Sequence, residues 1–140
     1  MTAIDGELLV RIDDGIAHVT LNRPQARNAL TFGMYEELAK LCALAGRADN
    51  ADHIKAIVIA GAGDKAFAAG TDIGQFTDFD STEDGLRYEA KVESVISQIE
   101  SCQVPVIAAL HGAVTGGGLV IAAAAHVRIA SAAAVAGMPI

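Results

Sequence analysis

Two glycine-containing loops are the places in this sequence where residue type and spacing could do chemistry. The first, Gly61-Ala62-Gly63-Asp64-Lys65-Ala66, follows the apolar run Ile54 to Ala60 and formally fits the Gly-x-Gly-x-x-Ala pattern of a dinucleotide-binding turn. Such a turn leads straight into a long helix, whereas Phe67 to Asp72 brings another glycine and no helical period. The second runs from Gly112 to Gly118 and ends in three successive glycines, without the Gly-Lys-Ser/Thr ending that a P-loop uses for its cation and metal contacts. Glycine at a helix start lets a ligand approach the free N-terminal amides, whose dipoles favour negative charge, so a developing oxyanion could be held there. Glycine serves close helix-to-strand packing equally well, and the loop by itself leaves both readings open.

The titratable side chains outside these loops read mainly as structural. His111 stands at a turn and suits a turn hydrogen bond, while His126, after a helix, suits packing or capping. His18 and His53 have no visible partner. Asp72 fits an N-cap or a turn better than proton transfer, and Asp78, Asp80, Glu83 and Asp84 read as a solvated acidic stretch. No His/Cys/Asp/Glu spacing matches a metal site, so no metal is expected. Cys42 and Cys102, without a CxxC pattern, read as buried reduced thiols.

Periodicity supplies the elements that must position the loops. Glu7 to Ile12 and Ile16 to Leu21, joined by Asp13-Asp14-Gly15, predict a β-hairpin. Thr31 caps a helix running to about Gly46, with Met34, Leu38, Leu41, Cys42 and Ala45 at helical spacing. Ile54 to Ala60 reads as a strand buried on both faces. Ser81 with Asp84 caps a helix through Glu100, striped by Leu86, Val92, Val95, Ile96 and Ile99. Pro105 to Leu110 is another buried strand, Gly116-Gly117-Gly118 opens an Ala-rich helix ending near Ala125, and Val127 to Ala130 is a last strand. Strands alternating with helices predict an α/β fold in a single domain over 1–140.

Composition narrows the function classes. With 52% apolar and 19% charged residues the chain is globular, and its net charge of −7 disfavours nucleic acid as a partner. Aromatics are only 4% and Trp is absent, so close backbone approach must replace bulky packing at many positions. No basic and apolar leader opens the sequence, which leads us to expect a cytoplasmic protein. From Ser101 to Ile140 the one formally charged residue is Arg128. Pro105, His111 and four glycines interrupt Val104 to Ala125 and no Lys/Arg cluster flanks it, so a membrane span is not expected. A partner subunit, or chain beyond Ile140, is the expected cover for so apolar a surface.

Taken in order, Leu21-Asn22-Arg23-Pro24 with Asn28-Ala29-Leu30, then Ala66-Phe67-Ala68-Ala69-Gly70-Thr71-Asp72-Ile73, then Pro105 to Gly112 and Gly116-Gly117-Gly118, the chain resembles the crotonase, or enoyl-CoA hydratase/isomerase, superfamily. The resemblance implies ββα units wound into a superhelix, here without the C-terminal half of the fold. It also implies acyl-CoA thioesters as ligands with no further cofactor, and assembly as a homotrimer or a dimer of trimers. It places the oxyanion-binding amides at Thr71 and Gly117, with Gly70, Asp72, Ile73, Gly74 and Gly116 lining the thioester site. Ala66 and Ala68 would meet the adenine end by their backbones, and Arg27 is either a partner for the CoA phosphates or a solvated loop charge.

Where hydratases of this family carry their two glutamates, this chain has Val120 and Ile140, neither of which can transfer a proton. An acyl-CoA-acting enzyme of this family is therefore the expected function, with hydration by the usual pair of carboxylates in question. A non-catalytic acyl-CoA-binding paralogue would keep Thr71 and Gly117 without an acid or base. A dinucleotide-binding oxidoreductase would instead use the Gly61 loop.

Overall fold

The computed structural model describes residues 3–4, 6–47, 49–72, 74 and 80–138. Ile73 and Ile140, like Asp78 and Pro139, lie outside them. The chain opens with a short strand β1 (Ala3–Ile4), followed by the hairpin β2 (Leu8–Asp13) and β3 (Ile16–Leu21). Asp14 and Gly15 both take positive φ, 51° and 80°, at the tight turn between them. A short 3-10 turn (Pro24–Ala26) precedes α1 (Phe32–Ala45), whose cap is Thr31: its hydroxyl accepts from the Met34 amide at 3.3 Å. Next come β4 (Ala56–Gly61), β5 (Ala66–Ala69) and α2 (Thr82–Glu100), the last capped by Ser81 accepting from the Asp84 amide. Then follow β6 (Val106–Leu110), β7 (Ala113–Thr115), α3 (Gly117–Ala124), β8 (Val127–Ala130) and β9 (Val135–Gly137).

Six strands form the main sheet in the order β1-β2-β3-β4-β6-β8, antiparallel as far as β3 and parallel from there on. The strands β5, β7 and β9 pair in parallel as a second sheet. One face of the main sheet is core: Val10, Ala17, Val19, Ile57, Ile59, Val106 and Ala108 are buried together with Leu38, Leu41, Val95, Ile99 and Ile121 of the helices. Period-two alternation on β2 and β3 follows from this, since alternate side chains must face opposite ways.

The structure corrects the expectation of a doubly buried Ile54–Ala60 strand. Ile57 and Ile59 are fully buried, but Val58 and Ala60 are half-buried and line a cleft on the opposite face with Leu9, Arg11, His18 and Thr20. The whole second sheet was likewise unread. Its strands are three or four residues long, built largely of Ala and bounded by glycines, so they give no alternation to detect. The Gly61 loop joins β4 to β5 and no helix follows it, which removes the geometry a dinucleotide-binding turn needs. All four residues of β8 are exposed, Ile129 to 63%, so within this chain the apolar C-terminal surface stays open.

Cys42 and Cys102 are both free; Cys42 is buried and Cys102 half-buried, with its thiol 3.7 Å from the Cys42 carbonyl oxygen. Among the described residues no helix is long and apolar enough to cross a membrane, and no group of His, Cys, Asp and Glu could hold a metal ion.

Candidate functional site

The two glycine loops meet because β5 and β7 are neighbours. Gly70, at the end of β5, adopts φ +94°, a conformation that favours glycine, and there the chain turns from one partner to another. Its N–H donates to the Thr115 carbonyl of β7 at 2.9 Å, while its own carbonyl accepts from the Leu30 N–H at 2.9 Å. Asp72 N–H closes the bridge by donating to the Leu30 carbonyl. Since the Gly70–Thr71 peptide is planar and trans, a carbonyl given to Leu30 sends the Thr71 N–H in the opposite direction, away from that backbone.

Each glycine of the triplet answers a different constraint. Gly116, the N-cap of α3, has φ 53° and ψ −125°, and its missing Cβ would lie 3.1 Å from the Gly70 α-carbon. Gly117 has ordinary helical freedom, yet a Cβ there would meet the Tyr35 hydroxyl at 2.5 Å and Thr71 Oγ1 at 2.7 Å. Gly118 is buried against β5, where a Cβ would lie 2.0 Å from the Ala68 carbonyl oxygen. The first hydrogen bond within α3 is Val120 N–H to Gly116 carbonyl, which leaves the amides at its start without helical partners. Neither the Thr71 nor the Gly117 N–H meets an acceptor among the described residues. Ligand approach and close packing, left open by the sequence, are thus divided between neighbouring residues.

Side chains hold the Gly70–Asp72 segment and the loop before it. Arg23, with its side chain 14% exposed, pairs with Glu7 at 3.1 Å and with Asp72 at 3.0 Å, and donates to the Ala29 carbonyl at 2.6 Å. Asn28 is fully buried at φ 57°; its amide nitrogen donates to the Ala62 and Ala66 carbonyls and its oxygen accepts from the Arg23 N–H. Tyr35 of α1, 2% exposed, places its hydroxyl 3.0 Å from Thr71 Oγ1. Burial pushes the Tyr35 hydroxyl up to about 12, outweighing the hydrogen bond from Thr71, so it stays protonated at neutral pH. Tyr88 of α2 reaches the same oxygen at 3.5 Å and stacks at a tilt on Phe32.

The remaining residues fall into place around this point. Asp72 accepts from the Gly74 N–H at 2.9 Å, a turn contact, in addition to its ion pair with Arg23. Ala66 and Ala68 are buried, and the Ala66 carbonyl is taken by Asn28. Arg27, exposed and at φ 51°, lines a cleft with Pro24, Asn28 and residues 62–66, where Lys65 adds a second cation. Val120 lies one turn into α3 and is half-buried. His111 bonds the Gly63 carbonyl at 2.9 Å; His126 accepts from the Val106 N–H and donates to the Glu100 carbonyl, so both histidines do structural work. Sequence reasoning missed Arg23, Asn28, Tyr35 and Tyr88. Asn28 and Arg23 belong to quoted motifs, and a search for side chains able to satisfy buried loop carbonyls would have raised them.

The model of the enoyl-CoA hydratase/isomerase family matches residues 11–140. The chain belongs to this family. It is 36% identical over 124 residues to the short-chain-enoyl-CoA hydratase of Clostridium acetobutylicum, covering 89% of this chain and 46% of that protein. A crystal structure of an enoyl-CoA hydratase/carnithine racemase from Magnetospirillum magneticum superposes with a TM-score of 0.84 at 34% identity, covering 95% of this chain and 49% of that one. The enoyl-CoA hydratase of Bacillus anthracis gives 0.83 at 27% identity, covering 94% and 50%. The chain spans about half the length of the curated relatives it matches.

Within the enoyl-CoA hydratase/isomerase family this chain has the N-terminal part of the crotonase fold.

Proposed function

We propose that the chain acts on acyl-CoA thioesters, the N–H groups of Thr71 and Gly117 together binding the thioester oxygen as negative charge develops on it. The observation that carries this reading is the contact of the two loops: Gly116 crosses Gly70, Gly117 abuts Thr71, and both N–H groups are free of acceptors among the described residues. Backbone donors held in advance need no reorganisation when charge forms, and one such donor is commonly worth about 3 kcal/mol of barrier. Family membership and the names of the relatives support a thioester as the group that supplies this oxygen.

In this reading Gly70, Asp72, Gly74 and Gly116 shape the backbone around the thioester. The cleft between Arg27 and residues 62–66 suits the phosphates and adenine end of CoA, with Arg27 and Lys65 as cations. The enolate or oxyanion would form on the carbonyl while a proton moves at the neighbouring carbon. Val120 cannot move that proton, so the acid or base must come from another group, or the protein binds thioesters without turning them over. That second reading, an acyl-CoA-binding paralogue, is favoured by Val120 and Ile140 at the two positions where the family's hydratases carry glutamates.

Incubating the full-length protein with a panel of enoyl-CoA and 3-hydroxyacyl-CoA thioesters, followed by mass spectrometry of the products, separates these readings. Product masses changed by water, or products of unchanged mass that separate chromatographically from the substrate, identify the reaction; binding by calorimetry without any product identifies the paralogue. Failure to bind any acyl-CoA would overturn the proposal.

A further inference from the structure

The chain contains two tyrosines, and the hydroxyls of both meet the same oxygen, Thr71 Oγ1, beside the glycine triplet. Tyr35 approaches from α1 and Tyr88 from α2, so three separate parts of the chain converge on one threonine. Tyr35 is the more telling of the two. Its ring is buried in the core to which Leu30, Met34 and Leu38 also belong, where phenylalanine would fill the same space without a hydroxyl to desolvate. The hydroxyl is instead brought to the edge of that core, 3.0 Å from Thr71 Oγ1, and both oxygens fill the volume that a side chain at residue 117 would need. A threonine oxygen can accept two hydrogen bonds and still donate one, so both tyrosines can be satisfied there.

Resting on the two-amide site described under Proposed function, we propose that Tyr35 is a positioning residue of that site. Its buried hydroxyl, bonded to Thr71 Oγ1 and seated against Gly117, sets the separation of the Thr71 and Gly117 N–H groups and so how strongly they polarise a thioester carbonyl. The contact is local and specific. Arg23 and Leu30 hold the Gly70–Asp72 segment from the side of the hairpin and the 3-10 turn, and the Leu30 side chain also borders the space at Gly117, but of these three Tyr35 is the one that hydrogen-bonds the Thr71 side chain there. Small displacements matter at such a site, because a shift of about 1 Å in a reacting group can cost about a hundredfold in rate.

The test uses the full-length protein and cinnamoyl-CoA, a conjugated thioester whose absorption moves to longer wavelength as its carbonyl is polarised. The wild type is expected to bind it with a red shift. Tyr35→Phe is expected to bind within about threefold of the wild type while losing at least half of the shift, a split that general loosening of the fold would not produce. Thr71→Val removes the same hydroxyl contact from the other side, together with that of Tyr88, and should lose at least as much of the shift as Tyr35→Phe, whereas Thr71→Ser and Tyr88→Phe, which keep the Tyr35 contact, should retain it; these variants decide the matter should Tyr35→Phe fail to fold. A full red shift in Tyr35→Phe, or in Thr71→Val, overturns the role of Tyr35 and leaves the site standing. A wild type that does not bind cinnamoyl-CoA, or binds it without a red shift, overturns the two-amide site and the role of Tyr35 with it.

Discussion

Gly118 packs on Ala68 so closely that a side chain at residue 118 would drive its Cβ to 2.0 Å from the Ala68 carbonyl oxygen and 2.8 Å from the Ala68 Cβ. Neither obstacle can rotate away, since one is backbone and the other is fixed to it. The start of α3 is therefore pressed onto β5, and this contact brings the Gly116–Gly117 turn against Gly70 and Thr71.

Gly118→Ala should accordingly destabilise the fold by about 3 kcal/mol, the upper end for overpacking a well-filled core. Urea denaturation of the full-length protein measures it. A loss below 1 kcal/mol would mean that α3 can lift from β5 without cost, and that the close approach does not set the position of the site.

Asn28 offers a second test, this time of hydrogen bonding. Its side chain serves two carbonyls and one N–H from a fully buried position in the left-handed region, which asparagine tolerates better than most residues. Asn28→Ala leaves those groups without their partner and should cost about 3 kcal/mol; Asn28→Gly, which relieves the backbone but not the hydrogen bonds, should recover at most about 1 kcal/mol of that. If the two substitutions were equally mild, solvent would be replacing the amide, and the Ala62–Ala66 loop would not depend on it.

The hairpin, the three helices with their caps, and the strands of the main sheet beyond β1 were legible because each has a period, a cap or a turn dipeptide of its own. Thr31 and Ser81 are caps by residue type, and Asp14-Gly15 is a turn by the φ it requires. The β5-β7-β9 sheet was not legible, because pairing Ala66–Ala69 with Ala113–Thr115 depends on a crossover through α2 that leaves no local trace. For the candidate site, the position of the glycines was readable but not their separate reasons. Gly116 answers a backbone angle, Gly117 the hydroxyls of Tyr35 and Thr71, and Gly118 a carbonyl. Tyr35 was hidden for a related cause: next to Met34 and one turn before Leu38 it looks like ordinary core, and its hydroxyl acquires meaning from Thr71, far along the chain.

Tyr35 also predicts a pH dependence. Burial raises its hydroxyl from 10.0 to about 12, so the unfolded chain gives up this proton at lower pH than the folded one. The folded state is then favoured fully below pH 10, and the contribution is lost as pH rises from 10 towards 12. Wild-type stability should fall across that window by on the order of 2 kcal/mol more than that of Tyr35→Phe, which has no such group. Denaturation midpoints of both proteins at closely spaced pH values check it. Parallel curves would show that the hydroxyl is not held in a dry environment.

The last prediction concerns Val120. The family resemblance puts a glutamate of the hydratases at this position, and the structure sets Val120 one turn into α3, hydrogen-bonded through its N–H to Gly116 and half-buried. A positioned acid or base is commonly worth about 10² to 10⁴ in rate, so unmodified full-length protein should hydrate crotonyl-CoA at a rate lower by about that factor than a hydratase with both glutamates. Val120→Glu restores one carboxylate, and together with Ile140→Glu restores the pair; hydration should rise with the first change and rise further with the second. A glutamate on this half-buried turn can take up a proton instead of staying ionised, which would shift its activity to higher pH without abolishing it. Circular dichroism must show the variants folded before their rates are compared. Efficient hydration by the wild type would place the acid and base elsewhere in the protein, and equal rates in wild type and folded double variant would show that residues 120 and 140 do not address a common water.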